Sequence, residues 1–152
     1  MSATGLDVFD RTLQITNTWL GEIMETLGPD RQIAWHTLGA VLRSVRDRIP
    51  LGLAAHLGAQ LPLLVRGAYY DQWRPSEQPR NWRSLDEFVS IVSTDLRNVR
   101  PVDPKDAARA VFGVLDRHLD PGQAGNVRDA LPEEVRDLWI TAGRAQGIES
   151  AA

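Results

Sequence analysis

The sequence predicts an all-α protein made of two tandem, pseudo-repeated units of about four helices each, packed as one helical bundle domain over residues 1–152. Apolar residues recur at steps of three and four along most of the chain, which is the spacing of one helix face. Residues typical of helix starts and stops divide this pattern into short segments. The pattern of the first unit, residues 5–73, returns in a second unit, residues 84–143, after a linker at 74–83.

Composition narrows the classes of protein that fit. Hydrophobic residues make up 43% of the chain and charged residues 24%, as in soluble globular domains. The chain has no cysteine, which excludes disulfide frameworks, thiolate zinc sites and cysteine nucleophiles. Its 17 basic and 20 acidic residues give a formal net charge of −3, so a nucleic-acid partner is not favoured. No apolar run approaches the ~20 residues of a membrane span, and the first residues lack a signal-peptide pattern, so we expect a bacterial-type cytoplasmic protein.

The first predicted helix ends at Gly28-Pro29, and Thr4 together with Asp7 is expected to cap its start. Its buried face is expected to consist of residues at helical spacing, namely Phe9, Leu13, Thr16, Leu20, Ile23 and Leu27.

The second predicted helix begins after Asp30 as N-cap and ends at Pro50. We expect Arg43, Arg46 and Asp47 to face water. The expected buried residues are Ala34, Leu38, Val41, Leu42, Val45 and Ile49.

Two shorter helices complete the first unit. Leu53, Leu57 and Leu61 mark the third, and Pro62 suits the first position of the fourth, where its missing N–H costs nothing. The linker that follows has two prolines and no apolar period, so it is expected to be an exposed connection.

Helix starts are also clear in the second unit. Ser84 with Glu87 three residues later forms a capping box at the start of the fifth helix. Asp103-Pro104 and Asp120-Pro121 each combine an N-cap carboxylate with a proline at the first helical position.

The repeat is clearest when residues 40–69 are aligned with residues 110–139, an offset of 70 that gives eight identities in 30 pairs. The repeat fails at Leu63-Leu64, which stand where the second unit has Glu133-Glu134. The fourth helix is therefore apolar on most sides and must be covered, either at the centre of the fold, which is the more usual arrangement, or by another chain.

Three stretches carry a resemblance to a known family: FDRTLQITNTWLGEI, AAHLGAQLPLLVRGAYYDQW and AVFGVLDRHLDPGQAGNVRDALPEEVRDLW. From about Phe9 to Trp139 the chain resembles the bacterial family known as domain of unknown function 2267. In that family a glycine commonly precedes the tryptophan at Trp73, where this chain has Gln72. The resemblance implies a small all-helical bacterial protein and carries no catalytic residue over to this chain.

Motifs of enzymes are missing from the sequence. It has no Gly-rich phosphate loop, no Gly-x-Ser-x-Gly and no His-Glu-x-x-His. His36, His56 and His118 lack partners at metal-ligand spacing, so we expect ordinary, partly exposed histidines. The sequence thus favours a protein without catalytic residues, metal or cofactor.

Aromatic and arginine residues cluster at the end of the fourth helix and in the linker, and these residue types are common at the centres of protein interfaces. We therefore expect a non-enzymatic protein-interaction module that binds a protein partner or a second copy of itself. The alternative is a small-molecule-binding or catalytic protein with a pocket between the two units. In another interpretation, Trp73 and Trp82 only hold the linker in place. The candidate partner-binding residues are Leu63, Leu64, Tyr70, Trp73, Arg74, Trp82 and Arg83.

Overall fold

The computed structural model describes the backbone of residues 3–151 and the side chains of residues 3–143. Over these residues the chain forms eight α-helices and no strand, which confirms the predicted all-α class. The helices are α1 (Asp7–Leu27), α2 (Arg31–Arg48), α3 (Leu51–Gln60), α4 (Leu63–Tyr70), α5 (Leu85–Asp95), α6 (Pro104–His118), α7 (Pro121–Asp129) and α8 (Glu133–Ala151). None of the helices in this part of the chain is long and apolar enough to span a membrane.

Four helices begin at the predicted caps. The Asp30, Asp103 and Asp120 carboxylates each accept two backbone N–H groups in the first turn of α2, α6 and α7. The Ser84 hydroxyl accepts the N–H of Glu87 at 3.1 Å. These side chains satisfy donors that have no partner within the helix.

Two predicted helix starts are wrong. Leu6 is the N-cap of α1 and makes no side-chain cap, because the Thr4 hydroxyl donates to the Asp10 carboxylate at 2.8 Å instead. Pro62 is the N-cap of α4 and lies one residue before the helix.

The core is centred on α6, which packs against α1, α2, α5, α7 and α8. The Phe112 ring lies between Phe88 and Trp139, at 6.2 Å and 4.5 Å between ring centroids. All residues from Ala107 to Leu115 except Arg109 are buried. The apolar helix at the centre of the fold is therefore α6 rather than α4.

The buried face of α1 differs from the predicted one. Phe9 and Leu13 were expected in the core, but both side chains are exposed. The face that packs against α2, α4 and α6 is displaced around the helix from these two residues. It consists of Thr12, Thr16, Trp19, Leu20 and Ile23.

Arg46 is buried, although its place in the pattern predicted a side chain facing water. Only 3% of its surface is exposed. Its Nη1 donates to the backbone carbonyls of Tyr69 at 2.6 Å and Asp71 at 2.9 Å, and its Nε donates to the Asp47 carboxylate at 2.8 Å. The guanidinium thus caps the carbonyl end of α4, where a positive charge is favoured by the helix dipole.

The linker is only partly exposed. The Gln78 side chain donates to the backbone carbonyls of Arg46 and Ile49 at the end of α2 and accepts the Trp73 indole N–H at 3.1 Å. Trp82, 5% exposed, packs against Phe88. Side chains of the linker therefore cover one end of the core. The linker sequence did not predict this, because it has no apolar periodicity.

Candidate functional site

The first two residues of α4 are exposed, and one face of the helix is buried. Val65 and Tyr69, one turn apart, are buried, whereas Leu63 and Leu64 are 49% and 41% exposed. The backbone N–H of Leu64 donates to the Thr12 hydroxyl at 3.3 Å, which places the first turn of α4 beside α1. The described part of the chain therefore leaves Leu63 and Leu64 uncovered.

Exposed large apolar side chains are concentrated in α1, in the residue before it and in the first turn of the neighbouring α4. They are Leu6, Val8, Phe9, Leu13, Ile15, Leu63 and Leu64, and we call this set the apolar surface. Among the other large apolar side chains in the described part of the chain, Leu51 and Ile91 are the exposed ones. Such a concentration of exposed apolar residues is typical of a contact surface.

The other candidate residues extend from the end of α4 into the linker. Tyr70 is half-buried beside Gly58, and its hydroxyl reaches the Ala55 carbonyl at 3.4 Å. Trp73 is half-buried and lies 5.3 Å from the Tyr70 ring. Arg74 and Arg83 are exposed.

Trp82 does not belong to the candidate contact surface. Its ring lies in the core, with the Arg48 guanidinium 5.7 Å from the ring centroid and the Arg48 Nε donating to the Trp82 carbonyl at 2.7 Å. A partner cannot reach this ring, because α2 and α5 cover it. The interpretation in which Trp82 holds the linker in place describes its contacts correctly.

A polar cleft of about 560 Å³ separates α2 and the end of α4 from α5. Arg43 connects its walls, because Nη1 donates to the Ala68 carbonyl at 3.1 Å and Nη2 pairs with Asp95 at 2.9 Å. The cleft lies between the two predicted units, where the sequence suggested a pocket as the alternative functional site.

The histidines were expected to be ordinary surface residues. His36 and His56 are exposed. His118, at the end of α6, stacks on Trp19 and contacts the Glu22 carboxylate, which also pairs with Arg117 at 2.5 Å. Over the residues that the structure describes, no three histidine or acidic side chains are grouped in a way that could hold a metal ion.

Comparison with known families identifies the chain. The sequence model of the family described as "Uncharacterized conserved protein (DUF2267)" matches residues 16–138, which is most of the 152 residues. The chain belongs to the DUF2267 family. Its match begins inside α1, so Leu6, Val8, Phe9, Leu13 and Ile15 lie outside the matched DUF2267 region. No curated protein matches the sequence.

The chain turns after α4 at a residue with an unusual backbone conformation. The φ of Gln72 is +56°, which lies in the left-handed region that favours glycine. This backbone conformation turns the chain away after α4 and places Asp71 and Gln72 in the wall of the cleft.

Parts of both sites were not predicted from the sequence. Phe9 and Leu13 were assigned to the core face of α1, and Val8 and Ile15 were assigned to no face, although these four residues are too widely spread around the helix for one stripe. That spread was the signal that an exposed face existed. The cleft has no local signal, because its walls come from three separate segments.

Proposed function

We propose that this DUF2267 protein is a non-enzymatic interaction module that self-associates through the apolar surface. The observation that carries the proposal is the exposure of Leu63 and Leu64 in the first turn of α4, beside further exposed apolar residues of α1. A monomer gains nothing by exposing these side chains to water, whereas burying a leucine in an interface stabilises the complex by about 1.5–3 kcal/mol.

Charged residues of α1 favour a second copy of the chain as the partner. Asp7 and Arg11 lie one turn apart on α1, and both are exposed. In a two-fold symmetric contact, if one residue of the first copy meets a different residue of the second, the reciprocal pair meets as well. Antiparallel crossing of two α1 helices therefore brings Asp7 of each copy opposite Arg11 of the other, which favours this pairing over a parallel one.

Sedimentation equilibrium over a range of protein concentrations tests the proposal. We expect the wild type to form a dimer with a dissociation constant on the order of micromolar. The double variant Leu63→Glu, Leu64→Glu installs the residues of the aligned positions in α8 and is expected to weaken the dimer at least tenfold, because charges would be buried in the interface.

Ile91→Glu is the matched control, since Ile91 is also an exposed apolar residue but lies on α5. It should dimerise like the wild type, and all three proteins should have the same helicity by circular dichroism. The proposal is wrong if the wild type stays monomeric at 100 μM and above, a concentration roughly 100 times the expected constant. It is also wrong if the double variant dimerises as strongly as the wild type.

A further inference from the structure

The polar cleft between α2 and α5 contains a buried cation with a free donor group. Arg46 is 3% exposed and lines the cleft. Its Nε and Nη1 bond to Asp47, Tyr69 and Asp71, but Nη2 has no hydrogen-bond partner among residues 3–143. Nη2 is not among the sealed polar atoms that lack a partner, so it is open to the cleft and can donate to a molecule there.

Further unpaired groups of both signs lie in the walls of the cleft. Arg97 after α5 and the Asp71 carboxylate after α4 form no ion pair with any described residue. Asp95 uses only its Oδ2 atom to pair with Arg43, so its Oδ1 remains available as an acceptor. A ligand therefore meets cationic donors, Arg46 Nη2 and Arg97, together with anionic acceptors.

The net charge of the walls is balanced. Three arginines, Arg43, Arg46 and Arg97, stand against three aspartates, Asp47, Asp71 and Asp95. A ligand with a large net charge, such as a phosphate ester, binds weakly in such a site, because repulsion by the aspartates offsets attraction by the arginines. A ligand with one positive and one negative charge can pair with both the aspartates and the arginines.

We propose that the cleft binds a small zwitterion of the amino-acid type. Its carboxylate accepts from Arg46 Nη2 and Arg97, and its ammonium group donates to Asp71 and Asp95. The volume of about 560 Å³ is in the range of small-molecule sites and admits a free amino acid or a short peptide. This site is separate from the apolar surface, and ligand binding here does not require self-association.

Isothermal titration calorimetry of the full chain with the twenty L-amino acids and a set of dipeptides tests this proposal. At least one probe is expected to bind. The N-acetyl form of that probe, which lacks the ammonium charge, and its carboxamide form, which lacks the carboxylate, should each bind at least tenfold more weakly. Inorganic phosphate serves as the anionic probe and should not compete.

Two variants assign the binding to the cleft. Arg97→Gln and Asp71→Asn change exposed side chains, so both are expected to fold normally, and each should lower the affinity for the best probe at least tenfold. Arg109→Gln and Asp106→Asn, an exposed pair on α6 outside the cleft, should leave the affinity unchanged. The proposal is overturned if no probe binds, if the blocked forms bind as well as the free one, or if the cleft variants bind like the controls.

Discussion

The corner between α2 and α4 and the corner between α6 and α8 occupy aligned positions in the two predicted units, but they use opposite chemistry. In the first corner Arg46 donates to the Tyr69 carbonyl, and the Tyr69 hydroxyl donates to the Ala54 carbonyl at 2.6 Å. In the second, Asp116 stands where Arg46 does and accepts the indole N–H of Trp139 at 2.8 Å. Each corner thus pairs a charged residue with an aromatic residue whose ring is buried, but Arg46 bonds to the backbone of Tyr69 and Asp116 bonds to the ring of Trp139.

The two corners also differ in what covers them. The α4 helix ends at Tyr70, and the chain turns away at Gln72, which leaves the cleft open beside Arg46. The α8 helix runs on to Ala151, and a Cβ added at Gly143 would lie 3.3 Å from the Asp116 carboxylate. A short helix at one corner leaves space for a ligand, and a long helix at the other fills that space. The two-unit repeat itself stays a prediction from the sequence.

The largest expected effect is at the first corner. Arg46→Met removes the only charged cap on the Tyr69 and Asp71 carbonyls in the described structure and leaves Asp47 without its partner. We expect the free energy of unfolding to fall by about 3 kcal/mol, as measured by urea denaturation. Arg43→Met, which breaks a more exposed pair with Asp95, should cost less than about 1 kcal/mol. Equal losses in the two variants would contradict the structural role given to Arg46.

Aromatic substitutions compare the rings of the two corners. Trp139→Phe removes the donor to Asp116 and leaves a cavity, so we expect the free energy of unfolding to fall by about 2–3 kcal/mol. Tyr69→Phe removes only a hydroxyl, so we expect the free energy of unfolding to fall by about 1 kcal/mol. The same urea denaturation measures both. A larger loss for Tyr69→Phe than for Trp139→Phe would show that the two rings are not packed as described.

Asp116 makes the stability of the second corner depend on pH. Burial raises the pKa of the Asp116 carboxyl above its ordinary value, although the bond from Trp139 opposes the shift. A carboxyl whose pKa is higher in the folded chain stabilises the fold at low pH, and this contribution is lost as pH rises through the folded pKa. Relative to the wild type, Asp116→Asn should therefore gain stability as pH increases through that range, by about 1 kcal/mol or less at neutral pH.

The measurement for Asp116→Asn is the free energy of unfolding at a series of pH values from 4 to 8. Arg109→Gln serves as a control at an exposed position of the same helix, because Arg109 is not among the groups that shift the pKa of the Asp116 carboxyl. If the difference between wild type and Asp116→Asn does not change with pH, the carboxyl has an ordinary pKa in the folded protein.

The smallest expected effect concerns the residue that turns the chain at the cleft. Gln72→Gly should raise the free energy of unfolding by about 0.5 kcal/mol, because glycine adopts the left-handed conformation without strain. Asn81→Gly, at an exposed linker position where φ is not positive, should lower the free energy of unfolding by a similar amount. Differential scanning calorimetry resolves both shifts. Destabilisation by Gln72→Gly would mean that the Gln72 side chain makes a contact that outweighs the strain.

The parts of the fold that local sequence determines were predicted well. The caps at Asp30, Ser84, Asp103 and Asp120 depend on residues within three positions of each other, so they can be recognised from the sequence. The burial of the Arg46 side chain could not be recognised in this way, because two of its acceptors are backbone carbonyls 23 and 25 positions further along the chain. The exposure of Phe9 and Leu13 likewise depends on where α2, α4 and α6 contact α1.

The candidate sites were predictable to different extents. Leu63 and Leu64 stood out because the aligned positions of the second unit hold Glu133 and Glu134, and this contrast is visible in the sequence. Trp82 was misassigned because an aromatic residue in a polar linker can equally close the core. The cleft was expected only as a pocket between the units, since its lining residues could not be assigned before the end of α4 and the position of α5 were known.

Site-specific photo-cross-linking tests the central claim, self-association through the apolar surface, most directly. A photoreactive phenylalanine analogue is placed at Leu63 of α4 or, in a second protein, at the aligned Glu133 of α8, and each purified protein is irradiated. Both positions are exposed first-turn residues, so the probe itself is equally accessible. We expect a product of twice the chain mass from position 63 and none from position 133. No dimeric product from position 63, or equal amounts from both positions, would contradict the claim.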